Sequence, residues 1–484
     1  MKTRKKKREI QMKNPVVSAI LVSSYTNKNK HHRRSPMRQK RTRQMSIFEI
    51  YSQHQIGKEL QAMSDRLDQC PQILDWIAID LHRRDVLDTG RKGLPVETVL
   101  RCALLKQYRQ LSYEELAFHL SDSASFRAFA RLPLGMVPKK SVLQETISQI
   151  RPYTWECINQ CLVGQAKEEK VESGNRVRFD STATEAMIHE PSDSSLLSDS
   201  VRVMVRLLKR AQSLAGEVPI AYCNHLRLAR KRARAIIYTR KADKKTQLYK
   251  DLIQATRDTL GYLLNAESQL STLPCDLLAY EWWLAEWQHY RPLIEKVIWQ
   301  SEQRVVYGQS LAAEEKVFSI FEEHTDIIIK GSREIQYGHK LNLSSGKSGL
   351  ILDVVIEEGN PADSERLLPM LERHIQHFGV APTHLAVDGG YASEDNLTKA
   401  KGQGVKQVAF HKKRGLSVEQ MVSSNWIYRQ LRNFRAGIEA GISCLKRAYG
   451  LARCTWKGLE HFKSYVWSSV VAYNLALLAR LKPA

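Results

Sequence analysis

His384-Leu385-Ala386-Val387-Asp388-Gly389-Gly390-Tyr391 is a short apolar run that ends on an acid and turns on two glycines. That is the pattern of a buried strand delivering a carboxylate at its exit. A second run of the same kind lies upstream, Arg176-Val177-Arg178-Phe179-Asp180, and it also ends on an acid. The third acid, Glu439, sits in Arg435-Ala436-Gly437-Ile438-Glu439, a segment of helical periodicity with Lys446 two turns further on. Two carboxylates at strand ends and one from a facing helix suit a pair of divalent cations. Such cations, about 3.5–4 Å apart, clamp the attacking and leaving oxygens of an in-line displacement. Mg²⁺ or Mn²⁺ takes oxygen ligands and keeps waters, so Asp180, Asp388 and Glu439 are a sufficient candidate set of metal ligands. On a helix, Arg435, Glu439 and Lys446 fall within roughly 60° of one face. That stripe places two cations beside the metal-bearing acid, positioned for phosphates.

Outward from these motifs the chain divides by pattern. Residues 1–44 have almost no periodicity and read as a disordered basic arm. From 45 to 170 the spacing is helical, with Ser112 and Glu115 forming a capping box and further short helices expected after Ser125 and Ser141. Capped short helices suit a helix-turn-helix-like DNA-binding module. After Asp180 the strand signal stops, and 193–315 reads as a helical insertion with helices over 201–214, 226–238, 245–264 and 278–299. Strand patterning resumes at Tyr337–Ser344, where Tyr337, His339, Leu341 and Leu343 alternate with Gly338, Lys340, Asn342 and Ser344, and continues over Gly349–Ile356. Asp363 is expected to cap a helix ending at Gly379, followed by the Asp388 strand, a helix from Glu394, a strand over Val405–Phe410 and the Glu439 helix. The order predicts an α/β core with a mixed sheet flanked by helices over 171–192 and 316–484. Glu185, Glu190, Asp193, Asp353 and Asp363 are the rival acids; Asp353 lies inside a strand and Asp363 reads as a cap, while Glu190 and Asp193 follow the first strand and compete most directly. His189 and His339 read as polar scaffold or DNA contacts.

Charge points to the partner. The 484-residue chain carries 74 Lys and Arg against 51 Asp and Glu, a net +23. Residues 1–44 hold 15 Lys/Arg and the single acid Glu9, and residues 201–250 hold 14 against Glu217 and Asp243, so the excess lies in two segments. Such segments favour a polyanion, most simply nucleic acid. Arg227, Lys231 and Arg234 recur at helical spacing as a candidate DNA-binding face, opposite apolar Leu228 and Ile236. The eight cysteines show no CxxC pair and read as buried thiols in a reducing cytoplasm. Neither Pro15–Ser23 nor Tyr465–Leu481 has the length and flanks of a signal or a membrane span, and the latter reads as a buried helix. Trp282, Trp283, Trp287 and Trp299 form an aromatic stripe that reads as core, with base stacking as the sharper alternative.

Strand order and acid placement together resemble the ribonuclease-H-like core of DDE transposases encoded by bacterial insertion sequences, over roughly residues 90–484. Arg435, Glu439 and Lys446 reproduce the R-(3)-E-(6)-K part of that superfamily's signature, while the signature's tyrosine position holds Arg432. Asp180-Ser181-Thr182, the run His189 to Leu197, and Gly90-Arg91-Lys92-Gly93-Leu94 with Glu115-Leu116-Ala117 resemble the ISNCY-type branch. The resemblance implies that Asp180, Asp388 and Glu439 hold two Mg²⁺ or Mn²⁺ ions, and that Arg435 and Lys446 contact DNA. It also implies that the protein binds element ends and target DNA as a homodimer or larger assembly, in the bacterial cytosol beside the nucleoid. A nuclease of the same fold without strand transfer, and a non-catalytic repressor derived from a transposase, are the alternatives. The separate helical module and the insertion disfavour the first; three intact acids disfavour the second.

Overall fold

The computed structural model describes residues 40–41, 54–82, 93–133, 135–330 and 334–481. Nearly all of the basic arm 1–44, and Gly90-Arg91-Lys92, lie outside the described residues. Six strands form one mixed sheet: β1 (Arg176–Glu185), β2 (Asp326–Lys330), β3 (Glu334–Ser345), β4 (Ile351–Ile356), β5 (His384–Val387) and β6 (Gln407–Phe410). The lateral order is β2-β3-β1-β5-β6, and β4 shares with β2 the outer edge of the long strand β3. β1 runs antiparallel to β3 and parallel to β5, which is parallel to β6. This is the expected ribonuclease-H-like arrangement, with β2 as a strand the sequence pattern did not announce.

Two expectations about strands change. β1 does not stop at Asp180 but continues to Glu185, because β-branched Thr182 and Thr184 remain paired with Leu341 and His339 of β3. The strand expected over Gly349–Ile356 begins only at Ile351. Lys340, Asn342 and Ser344 are all buried, since β3 lies inside the sheet, and Lys340 pairs there with Asp363 and Asn342 with Glu357.

The segment before the sheet folds as α1 (Gln55–Asp68), α2 (Ile73–Asp80), α3 (Val96–Tyr108), α4 (Tyr113–Asp122), α5 (Ala124–Ala130), α6 (Lys140–Ile147) and α7 (Pro152–Glu168). The capping box at Ser112 forms as read, with the Ser112 amide donating to Glu115 Oε2 at 2.7 Å. The next two helices start slightly early, at the cap Ser123 and at Lys140. These helices do not form a core of their own. One continuous apolar cluster runs from Leu60 through Trp155 and the sheet residues Phe179 and Val387 to Leu478. The reason is the C-terminal helix, α16 after the others in chain order (Leu459–Leu478), which is apolar nearly all round and packs against α1, α3, α7 and β4 together. Among the described residues no helix is long and apolar enough to cross a membrane.

The insertion does build a separate core. α8 (Asp193–Ala215), α9 (Leu226–Tyr238), α10 (Ala242–Leu270) and α11 (Leu277–Val305) enclose an apolar cluster from Leu196 to Ile320. Trp283 and Trp287 belong to it, and their indole N–H groups donate to Leu207 O at 3.0 Å and Glu267 Oε2 at 2.9 Å. Trp282 instead stands 79% exposed and Trp299 half-exposed, so the stripe is only half core.

After β4 come α12 (Asp363–Phe378), a 3₁₀ turn at Gly389–Tyr391, α13 (Glu394–Gly402), α14 (Val418–Met421) and α15 (Asn425–Ala448). Asp363 is not a cap: the capping position is Ala362, and Asp363 in the first turn pairs with Lys340 at 2.6 Å. Cys70 and Cys161, expected as free thiols, are joined as a disulfide across 91 residues, because α2 packs on α7.

A buried polar clip ties the N-terminal helices to the sheet. Asn474 Nδ2 donates to Asn159 Oδ1 and to Ile351 O, both at 2.7 Å, and its Oδ1 accepts the Ile351 amide at 2.9 Å. Both asparagines are fully buried, so the start of β4 depends on them for pairing that water cannot supply. Asn474→Ala should lower stability in chemical unfolding by about 2–4 kcal/mol, since it leaves the Ile351 amide and Asn159 Oδ1 without their partner. A loss near that of an ordinary surface change would show that the clip is dispensable.

Candidate active site

Phe179 and Val387 form the last rung of the parallel β1–β5 ladder. Asp180 and Asp388 are therefore the next residues on two adjacent strands, with backbones about 4.8 Å apart. Asp388 leaves β5 and enters the 3₁₀ turn, whereas Asp180 stays on β1 with its Oδ1 accepting the Ser181 amide at 2.8 Å. α15 packs on β1, β5 and β6 and carries Glu439 to the same place. Its N-terminus is set by Ser424, whose hydroxyl accepts the Ile427 amide.

The three carboxylates meet on one guanidinium. Arg435 lies 3.1 Å from Asp180 Oδ2, 3.5 Å from Asp388 Oδ1 and 2.6 Å from Glu439 Oε1. Arg435 is buried, and the acids grade outward, with side chains 14%, 37% and 57% exposed for Asp180, Asp388 and Glu439. One positive charge against three negative ones leaves a surplus of negative charge open to solvent on the Glu439 side. Among the described residues no three acid, histidine or cysteine side chains already close around an ion. The oxygen-only donor set, gathered about a cation, nevertheless fits a hard divalent metal. Arg435, expected to face DNA, is instead occupied within the acid cluster. Arg432, at the signature's tyrosine position, is exposed, with its guanidinium 5.8 Å from the Tyr428 ring centre.

Gly437, between Arg435 and Glu439, allows a close approach. The Arg178 guanidinium lies where a Cβ at 437 would be, donates to Phe434 O at 2.6 Å and stacks on the Phe434 ring. Burial holds the Arg178 guanidinium below the usual arginine range. This contact locks α15 against β1 and so sets where Glu439 points.

Beneath the acids lies a polar layer that sequence reading missed. Tyr391 is fully buried, and its hydroxyl donates to Asn342 Oδ1 at 2.8 Å. Asn342 Nδ2 in turn donates to Glu357 Oε1 at 2.7 Å, and Arg366 pairs with Glu357 at 2.9 Å. Burial, then the negative charges of Asp363, Asp180 and Asp388, push the Tyr391 hydroxyl well above its ordinary value, so it stays a neutral donor. Asp363 abuts Gly390, where a Cβ would come within 2.7 Å of its Oδ2. The usable signal was the polar alternation Lys340-x-Asn342-x-Ser344 on a strand whose other face is apolar.

The rival acids go elsewhere. Asp353 is buried and pairs with Arg373 at 2.5 Å, and Asp193 pairs with Arg304 at 2.9 Å. Glu190 is exposed. His339 is scaffold: its ring nitrogens lie 2.8 Å from His324 Nδ1 and 3.1 Å from Glu357 O. Arg227, Lys231 and Arg234 are exposed on α9, whose buried side holds Ala229 and Ile236; Leu228 is part of the exposed surface, not of that side. Of the basic arm, Lys40 pairs with Asp75, and Arg41 lies 3.5 Å from Asp68 and 3.7 Å from Glu97.

Residues 330–475 match the family described as Transposase DDE domain, and residues 55–149 match the family described as Transposase domain (DUF772). The two together are the signature of bacterial insertion-sequence transposases. Asp388 and Glu439 lie inside the first match; Asp180 lies outside both and joins them through the sheet. Neither match separates the ISNCY-type branch from others. No curated protein and no solved structure matches the chain.

Gly437→Ala should displace Arg178 and tilt α15, lowering stability by about 1–3 kcal/mol as an overpacking change. DNA cleavage should fall with it. Unchanged melting and unchanged cleavage would show that the helix tolerates the methyl group.

Proposed function

From a chain that carries both transposase domains, we propose a DNA strand cleaver and joiner in which Asp180, Asp388 and Glu439 hold two divalent cations, Mg²⁺ or Mn²⁺. The observation that carries this reading is the convergence of three carboxylates, from β1, from the end of β5 and from α15, on the single guanidinium of Arg435. Bound there, the cations would activate water, then a freed 3′-hydroxyl, and offset charge on the phosphate. The protein's own part is positional. β1 and β5 fix two acids side by side, α15 brings the third, and Tyr391 with Asn342 supports the loop behind Asp388. For cations to enter, Arg435 must swing out of the cluster, toward the strand that crosses α15. There its charge becomes available to a phosphate, alongside Lys446.

DNA recognition is assigned to the exposed cations Arg227, Lys231 and Arg234 of α9 and to the helices of 45–170. The domain plan is the basic arm 1–44, the helical domain 45–170, the catalytic core 171–192 with 316–484, and the insertion 193–315. A homodimer or larger assembly on paired DNA ends, in the cytosol, completes the proposal. A nuclease without strand transfer differs only in the second step.

Asp180→Asn, Asp388→Asn and Glu439→Gln should each abolish cleavage of duplexes carrying the element's terminal sequence while leaving gel-shift binding to them intact. Mn²⁺ binding in calorimetry should be lost with each. Cleavage persisting at the original rate removes that residue from the site, and cleavage without joined product favours the nuclease.

Arg435→Ala should leave Mn²⁺ binding in place, in contrast to Asp388→Asn, while slowing cleavage. Replacing Arg227, Lys231 and Arg234 by Ala should weaken DNA binding and reduce its salt slope by up to about 0.9 per lost phosphate contact. An unchanged slope would move the DNA path away from α9.

A further inference from the structure

Some 10 Å along α15 from Glu439, at 1.5 Å per residue, Lys446 reaches the wall of a second cavity. It lies where the turn between α3 and α4 meets the loop that follows α15, and its volume is about 490 Å³. That is within the ordinary range for a small-molecule site. Lys106, Lys446 and Arg453 supply its positive charge, and Tyr113 and Trp456 its aromatic surface.

Lys106 is the unusual member. It is only 6% exposed, and among the described residues it makes no ion pair within 4 Å, the carboxylate that acts on it being that of Glu115 on the cavity wall. It lies instead 4.8 Å from the Tyr113 ring centre and 5.7 Å from that of Trp456. Burial draws the ammonium down to about 8, which leaves it mostly charged at neutral pH. Buried charges are normally paired closely, and Glu115 acts on this one only from beyond 4 Å, so a bound anion would complete the pairing. Glu115, the acid on the cavity wall, is engaged through Oε2 by the Ser112 amide at 2.7 Å. Arg453 donates to Ile188 O through one nitrogen of its fork.

We propose that this cavity binds a nucleotide unit, with the phosphate on Lys106, Lys446 and Arg453 and the base against Tyr113 and Trp456. An anion alone would not need the aromatic walls, and a neutral aromatic molecule would not need the buried ammonium. The source of the nucleotide is either a DNA strand end lying out of the stack or a free nucleotide. The 10 Å from Glu439 corresponds to about three nucleotides of one strand at 3.4 Å each, which places the cavity on the path of the strand being cut. The inference rests on the cavity rather than on catalysis. A chain that binds nucleotide but never cleaves DNA would keep it and lose the function proposed above.

The test is calorimetry on the full chain with dTMP, thymidine and inorganic phosphate. dTMP should bind at least about fivefold tighter than either fragment, since a stacked base contributes at least about that factor and a charged hydrogen bond about tenfold or more. Lys106→Met, which keeps the stem's packing, should lose about tenfold or more in dTMP affinity. Arg453→Gln, at an exposed position that does not threaten folding, should lose several-fold. Equal affinity for dTMP and phosphate, or dTMP binding unchanged in both variants, overturns the proposal. A duplex with a three-nucleotide single-stranded overhang, competed against dTMP beside a blunt duplex, then identifies the source. Displacement by the overhang alone supports a DNA strand, and displacement by neither supports a free nucleotide in the same site.

Discussion

Three carboxylates at one point repel one another, and the fold can hold them there only because Arg435 stands among them. The guanidinium offers a planar fork of donors, so one side chain reaches acids on two strands and on its own helix. Its neutralisation is incomplete, so the cluster keeps a surplus of negative charge. α15 packs across β1, β5 and β6, with its Leu431, Ile438 and Leu445 buried in the shared apolar core. Arg178, seated against Gly437 and bonded to Phe434 O, fastens the helix a turn away on its other side.

Around this point the molecule divides its labour by how each part is buried. The sheet, the N-terminal helices and α16 share one apolar core, so the helical module that matches the DUF772 transposase domain is continuous with the sheet. Asn474 and Asn159 make that continuity specific, because only one placement of α7 and α16 satisfies the backbone at Ile351. The insertion keeps its own core and turns its cations outward. A long insertion is tolerated between β1 and β2 because its helices bury one another and ask little of the sheet.

The cavity beside Lys106 lies where the two matched domains meet, with α3 and α4 from one and the end of α15 from the other. Each domain contributes a lysine and an aromatic ring to it. An ammonium buried against two aromatic rings, with no ion pair within 4 Å among the described residues, is what sets this junction apart from ordinary packing.

The sequence by itself determined the sheet-flanked-by-helices architecture, the helical insertion, the capping box at Ser112 and the neighbourhoods of Asp180, Asp388 and Glu439. These are legible because apolar periodicity and cap chemistry act within a few residues. Local pattern also misled where the decisive neighbour was distant. β1 outruns Asp180 because β3 pairs with it, Asp363 serves Lys340 rather than a helix end, and Cys70 finds Cys161 only once α2 meets α7. Leu228 and Trp282, apolar on a helical wheel, are exposed among the described residues, on sides of their helices that do not face the insertion's core. The adjacency of Asp180 and Asp388, the capture of all three acids by Arg435, and the layer of Tyr391, Asn342 and Glu357 were decided by tertiary structure alone. Sheet register and helix docking bring together charges separated by hundreds of residues, and no local spacing encodes which of them will share a solvent shell.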